Sequence, residues 1–379
     1  MTSDGLSDFS NDQTVQMVPV TQTNLVSDGF LPAAHTDPNL VNAWGITHSA
    51  TSPFWIADNG TGVSTLYNGE GAPFPLANPL VVTIPAPTGE TGPSAPTGTV
   101  SNTAASGFIV SEGDKSGSAA FLFATEDGTI SGWNPTVDGT HAILAVDNSG
   151  EGAVYKGLAI AGTDTGEQLY AADFHNGTVD VFDSSFRQVN SFTDPFVPQD
   201  YAPFNVQALD GHLFVTFAKQ DADKLDDVAG PGHGFVDEFD LGGHLLHRVA
   251  ANGPLDSPWG LAIAPDSFGA LASDLLVGNF GDGTINVFDK ATDAFVGKLQ
   301  DANGQPVQID GLWSLIPGNG GNGGDPGKIY FSAGPDDEAH GLFGSLTPGL
   351  PGSGGEAVDW NALATQILAH LADTGQWFA

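Results

Sequence analysis

Apolar residues recur along this chain in short alternating runs, set in pairs about a tight polar turn. "FWIADNGTGVSTLYN" (54–68), "FLFATEDGTISGWN" (121–134), "LYAADFHNGTVDVFD" (169–183) and "LLVGNFGDGTINVFD" (275–289) share this form. In each, two runs of period two flank an Asp-Gly, Asn-Gly or similar pair. That is a β-hairpin signature, because glycine supplies the positive φ that a tight hairpin needs. "LFVTFAKQ" (213–220) and "GFVDEFD" (234–240) are the same unit split by an insertion. "IYFSAGPDDEAHGLFGSL" (329–346) is a sixth copy with a longer turn.

A further apolar run precedes each hairpin, as in "VNAWGITHS" (41–49), "VYKGLAIAG" (154–162), "SPWGLAIAP" (257–265) and "DGLWSLIPG" (310–318). A bulky or polar residue stands near the head of each run: Trp44, Thr97, Lys156, Phe204, Trp259 and Trp313. Their spacing of roughly 50–60 residues is that of a four-stranded propeller blade with insertions. A fourth run follows five of the hairpins, for example "NPLVVTIP" (78–85) and "HAILAVDN" (141–148). The sixth has none. The spare N-terminal "TVQMVPVTQTNLV" (14–26) can supply the missing strand and close the ring, which removes an exposed sheet edge. The pattern predicts an all-β six-bladed β-propeller over 14–348, with 1–13 as a disordered N-terminal segment. Residues 349–355 read as a Gly/Pro linker. Residues 356–379 read as an amphipathic helix, with Trp360, Leu363, Ile367, Leu368 and Leu371 at helical spacing.

Composition agrees with many turns and short strands: 51 Gly and 25 Pro in 379 residues. No stretch is apolar and uncharged for long enough to span a membrane. The charge changes the functional picture. Asp and Glu total 45 against 9 Lys and Arg, a formal net charge of −36. Such a surface has few cations to exchange for the counterions of nucleic acid or anionic lipid, so neither partner is expected. Solubility in salty surroundings or binding of divalent cations accounts for it instead. Cysteine is absent, which excludes thiol chemistry and disulfides. The N-terminus carries no signal-peptide pattern. An extracellular location and a monomeric chain are the expectation; the apolar tail reads first as a helix that docks on the domain and, as the alternative, as an uncleaved C-terminal export signal.

In a propeller, first strands line the axis. The loops leading into them share one face with the hairpin turns. Trp44, Phe204, Asn205, Trp259 and Trp313 are therefore candidate ligand-binding residues, suited to a small aromatic, carboxylate or sugar-like molecule, or to a protein side chain. Plugging of the channel by the same rings is the alternative. Lys156 among aromatics is a candidate nucleophile or base if desolvation weakens its charge, and an ion-pair partner if a carboxylate stands near. Lys219 and His340 are further candidate acids or bases. Asp58, Asp173, Asn279 and Glu338 sit at or within hairpin turns and form the candidate set for Ca²⁺ or another divalent cation. No organic cofactor is expected. Asn42 and Glu126 lie on the same face, and the acidic insertion 219–234 reads as a solvated loop, a lid or a cation clasp.

The longest motifs are "DPNLVNAWGI" (37–46), "SPFWIADNGTGVSTLYN" (52–68), "EDGTISGWN" (126–134) and "DVAGPGHGFVDEFD" (227–240). They continue with "LLVGNFGDGTINVFD", "IDGLW" (309–313) and "FSAGPDDEAHGLFG" (331–344). Through these the chain resembles a group of uncharacterised, mostly exported bacterial propeller proteins, often found with a PEP-CTERM sorting tail. The resemblance implies the fold and export, and no established reaction. The sorting motif, membrane helix and basic tail of that group are missing here. The chain is more loosely similar to gluconolactonase-type six-bladed hydrolases, whose divalent metal lies on the axis on acidic and amide residues. Here those places hold Trp44, Lys156, Phe204, Trp259 and Trp313. A binding propeller is thus the first expectation, and a metal-assisted hydrolase or lyase the second.

Overall fold

The computed structural model describes residues 17–104 and 106–349. The proposed N-terminal disordered segment, most of the linker and the C-terminal helix lie outside the described residues. Six antiparallel sheets follow one another along the chain. The first blade runs from Ala43–Thr47 on the axis through Phe54–Asp58 and Val63–Tyr67 to Val81–Thr83 at the rim. The inner strands of the next four begin at Pro96, Tyr155, Tyr201 and Pro258. The sixth blade contains Leu312–Pro317, Ile329–Ala333 and Leu342–Pro348. Its outer strand is Val20–Ser27, antiparallel to Leu342–Pro348, so the chain's start closes the ring as predicted. Two features were not anticipated: His35–Thr36 adds a short parallel strand at that rim, and a small hairpin, Ile109–Glu112 with Lys115–Ser118, is inserted in the second blade.

Alternation along each strand buries both faces, because every blade packs between two others. One cluster joins Trp55, Leu66 and Val82 of the first blade to Phe121, Phe123 and Trp133 of the second. Equivalent clusters lie at the other five blade junctions. A seventh, on the axis, contains Trp44, Phe174, Phe204, Trp259 and Trp313.

Small residues let the inner strands meet. A Cβ on Gly98 would lie 2.3 Å from the Leu158 backbone nitrogen, and one on Gly157 2.3 Å from Asn205 Oδ1. Each inner strand also breaks register with its neighbour at the residue singled out by sequence. The break falls between Ala43 and Ile46 around Trp44, between Tyr155 and Gly157 around Lys156, and between Pro258 and Gly260 around Trp259. The other three blades repeat it. A bulge re-aims a side chain that regular pleating would send into a blade junction. Here it falls at Trp44, Phe204, Trp259 and Trp313 of the axial cluster and at Lys156 beside them, while Thr97 donates to the Ala124 and Tyr155 carbonyls.

Candidate functional site: the axial mouth

The aromatic residues form a plug. Trp313 is sandwiched between Trp44 (ring centroids 3.7 Å apart, 15° between planes) and Phe280 (3.9 Å, 18°). Trp259 and Phe204 meet its edges at 6.0 and 5.8 Å. None of Trp44, Phe204, Trp259 and Trp313 is more than 3% exposed. Hydrogen bonds fix the rings: Trp313 Nε1 donates to Asn42 Oδ1 (2.9 Å) and Trp259 Nε1 to the Lys156 carbonyl (3.0 Å). Asn205 takes the place that glycine holds in four other blades. Its amide donates to the Trp259 carbonyl (2.8 Å), so it braces adjacent inner strands. These five residues, expected to bind ligand, are brought together, but on the face of the hairpin turns they form a closed floor rather than walls; Asn205 and Trp259 also line a cavity at the other end of the axis.

Above the floor, on the face of the hairpin turns, lies a polar network drawn from five blades. Lys156, 2% exposed, donates from Nζ to Glu126 Oε1 and to Asp226 Oδ1 (2.9 Å), with Nζ 5.2 Å from the Trp44 ring centroid. Burial alone pulls the ammonium pKa down. Glu126 and Asp226 outweigh it and hold the group above its ordinary value, so Lys156 is a charged ion-pair centre and not a free base. Glu126 Oε2 accepts from Asn59 Nδ2 (2.8 Å), whose Oδ1 accepts from Asn42 Nδ2 (3.2 Å). The same Asn42 Nδ2 donates to Glu338 Oε2 (2.6 Å). Burial first, and then repulsion from Glu126, pushes the Glu338 carboxyl up to about 7 despite Lys156 and Asn42. The acidic insertion lies over this face, because Asp226 reaches Lys156. Gly230 N also donates to Asp256 Oδ1 (2.6 Å), anchoring the insertion to the next blade.

The remaining expected residues do not join the network. Asp173 accepts from the backbone of Val154 and Asn176 and from the Asn176 side chain, capping its own hairpin. Asn279 does the same in the fifth blade, donating to Pro254 O and Asp282 Oδ1, both at 2.9 Å. Asp58 is wholly enclosed, and burial raises its carboxyl well above the ordinary value. Among the described residues no three His, Asp or Glu side chains group as metal ligands. Lys219 lies 3.8 Å from Asp200. His340 stacks on Phe30 and its Nδ1 is 2.6 Å from Asp28 Oδ2, near the chain's first strand. Lys156, Lys219 and His340 are therefore three separate sites. Asn59 and Phe280 were missed by sequence. The signal for Phe280 was present: it follows Asn279 as Phe174 follows Asp173, at the same place in two blades.

The fold and the mouth define a six-bladed propeller with a plugged axis and an amide–carboxylate network over the plug. Among protein-family models none matches the chain. It is 36% identical over 332 residues to "Uncharacterized protein L690" of Acanthamoeba polyphaga mimivirus, covering 85% of this chain and 84% of that protein. "Uncharacterized protein R648" of the same virus is 35% identical over 332 residues, covering 85% and 78%. The chain belongs to the family of these uncharacterised proteins. The relatives found are viral, not the bacterial exported proteins that the motifs led us to expect. Among solved structures, a streptogramin B lyase aligns with a TM-score of 0.47 at 12% identity, covering 89% of this chain and 100% of that one. Kuenenia stuttgartiensis hydrazine synthase gives 0.44 at 13%, covering 80% and 77%. These are likenesses of overall shape, and nothing about chemistry follows from them. No helix among the described residues is long and apolar enough to cross a membrane.

Proposed function

We propose that the protein is an exported, monomeric binding propeller that takes a sugar-like ligand at its axial mouth. The observation that carries this reading is the continuous chain Glu126–Asn59–Asn42–Glu338 laid over Lys156 and the aromatic plug. Carboxylate and amide groups of this kind accept and donate to hydroxyls. Two other ligand classes fit less well. A carboxylate ligand would meet Glu126, Asp226 and Glu338 while the nearby ammonium is already shared between two of them. A small aromatic ligand would need an open ring face, and the rings are stacked on one another. Titration calorimetry with neutral and amino monosaccharides and their short oligomers tests the proposal. Saturable binding, weakened at least tenfold in Asn59→Ala and Glu126→Gln, is expected. Absence of binding by every saccharide overturns it.

A second reading, a hydrolase or lyase acting at the same mouth, draws on Glu338. Two neighbouring carboxyl groups, one with its pKa pushed up and one paired with a lysine, are the arrangement from which general acid–base pairs are made. Turnover of a bound saccharide, lost in Glu338→Gln, would favour it. Assistance by Ca²⁺ or another divalent cation fits the natural mouth poorly, because the Lys156 ammonium already stands among the carboxylates. Export rests on the motif resemblance to exported propellers, while the absence of Cys fits either side of the cell envelope. Recovery of the protein only from intact cells, with none outside them, would overturn it.

A further inference from the structure

The axis has a second end. Beyond the plug, on the face opposite the hairpin turns, a cavity of about 310 Å³ opens between the inner strands of all six blades. Trp259 walls it on the plug side, and Ile46, Leu158, Ile160 and Ile316 supply most of its apolar surface. Two features of its lining bear on what it could hold. Not one Asp, Glu, Lys or Arg lines it, in a chain with a formal charge of −36, and the titratable side chain that does, His48, has its ring nitrogens on the carbonyls of Ser49 (3.1 Å) and Pro317 (2.9 Å). In addition, hydroxyls that make no hydrogen bond within the protein open onto it. Thr47 (8% exposed), Ser101 (9%) and Ser314 (4%) line the cavity. Among the described residues their side-chain oxygens hydrogen bond to no other protein group, and neither does the amide of Gln207 at the same wall.

An apolar pocket with a few convergent polar groups that the protein leaves free has the form of a small-molecule site. Charge decides what kind of molecule. A charged molecule entering this space would lose its hydration with no Asp, Glu, Lys or Arg to meet it and with the His48 ring already held by two carbonyls. A neutral one would bury apolar surface against the isoleucines and Trp259 and find three hydroxyls and an amide to bond. At about 30 Å³ for a water-sized group, the volume admits a molecule on the order of ten non-hydrogen atoms. We propose that this cavity is a second binding site, for a small uncharged molecule with an apolar body and a hydroxyl or carbonyl group. It is independent of the mouth, since the plug separates the two.

The test uses the full chain and two probes of one shape: 2-naphthol, neutral at pH 7, and 2-naphthoate, its charged counterpart. Probe titration, followed by Trp fluorescence and calorimetry, is expected to give saturable one-to-one binding of 2-naphthol and at least tenfold weaker binding of 2-naphthoate. Ala208→Leu, which fills the cavity from its rim, should abolish binding, and Thr47→Val should weaken it several-fold. Asn59→Ala, at the far end of the axis, should leave it unchanged. Equal binding of both probes, binding that survives Ala208→Leu, or no saturable binding overturns the proposal. A photo-crosslinker placed at Ala50 covers the remaining case. Coupling to the chain's own residues after 349 would assign the cavity to that segment and overturn the small-molecule site.

Discussion

Trp44 lies flat on Trp313 although the two are the inner-strand residues of the first and last blades, joined only where the ring closes. The stack is therefore a fastener of the propeller as well as the floor of its mouth. Trp313→Ala should remove the middle ring of the Trp44–Trp313–Phe280 sandwich and leave Asn42 Oδ1 without its donor. We expect a loss of about 3–5 kcal/mol in urea unfolding, with Trp313→Phe losing less. A loss under 1 kcal/mol would mean that the plug does not hold the ring together.

Lys156 should be indispensable for a different reason. It is the ammonium that lets Glu126 and Asp226 share the mouth. Lys156→Met leaves those carboxylates, with Glu338, facing one another without a cation. Breaking a buried pair from one side typically lowers stability by about 3–5 kcal/mol. The exposed Asp226 can turn to water, so the lower end of that range is expected. Millimolar Ca²⁺ should raise the melting temperature of Lys156→Met while leaving the natural chain nearly unchanged, because only the variant has oxygen ligands without a resident cation. Equal shifts in both would show that the natural mouth takes a cation after all.

Much of this was legible in the chain itself. Hairpin periodicity revealed the blades, the spare N-terminal run revealed the closure, and the repeated bulky residue revealed the axis. The mouth was less legible, because its bonds join residues that sequence separates widely. Asn59 meets Glu126 at a separation of 67 positions, and Asn42 meets Glu338 at 296. Nothing local distinguishes Asn59 from an ordinary turn asparagine. For Asp58, Asp173 and Asn279 the local role won: each sits at a strand end where turn amides or enclosure claim its side chain before the axis can. The fate of Lys156 also needed the third dimension, since burial and two carboxylates act on it in opposite directions.

A second buried ion pair, remote from the axis, is a control on these arguments. Arg248 bridges Asp194 and Asp237, which are almost wholly buried, and covers the Phe235 ring at 4.8 Å. Arg248→Met should destabilise by about 3–5 kcal/mol at pH 8, without affecting ligand binding at the mouth. Burial already raises the Asp237 carboxyl to about 6. Without Arg248 it should rise further, so the deficit of the variant should shrink as the pH is lowered to 5. Chemical denaturation at the two pH values measures this, and a deficit independent of pH would contradict it.

The whole chain should be most stable in mildly acidic solution, and the sign follows from the direction of the shifts. Glu338 is pushed up to about 7, and Asp180 and Asp237 to about 6, in each case chiefly by burial. A carboxyl with a raised pKa binds its proton more tightly in the folded chain than in the unfolded one. Its stabilising contribution is complete below the ordinary carboxylate value and disappears as the pH climbs through the raised one. Each group should therefore lose on the order of 2 kcal/mol of stabilisation between about pH 4 and pH 7. Asp138 and Asp147 work in the opposite sense. Hydrogen bonds, from the Thr140 amide for Asp138 and the Ser149 hydroxyl for Asp147, hold them at about 2. Their contribution is present above the ordinary value and is lost as the pH falls toward 2. The melting temperature should peak near pH 4–5, decline toward pH 8 and fall again below pH 3. Glu338→Gln, which keeps a hydrogen-bonding group at the mouth and removes the titration, should flatten the decline between pH 5 and pH 8. An unchanged slope in that variant would mean that Glu338 does not carry the raised carboxyl.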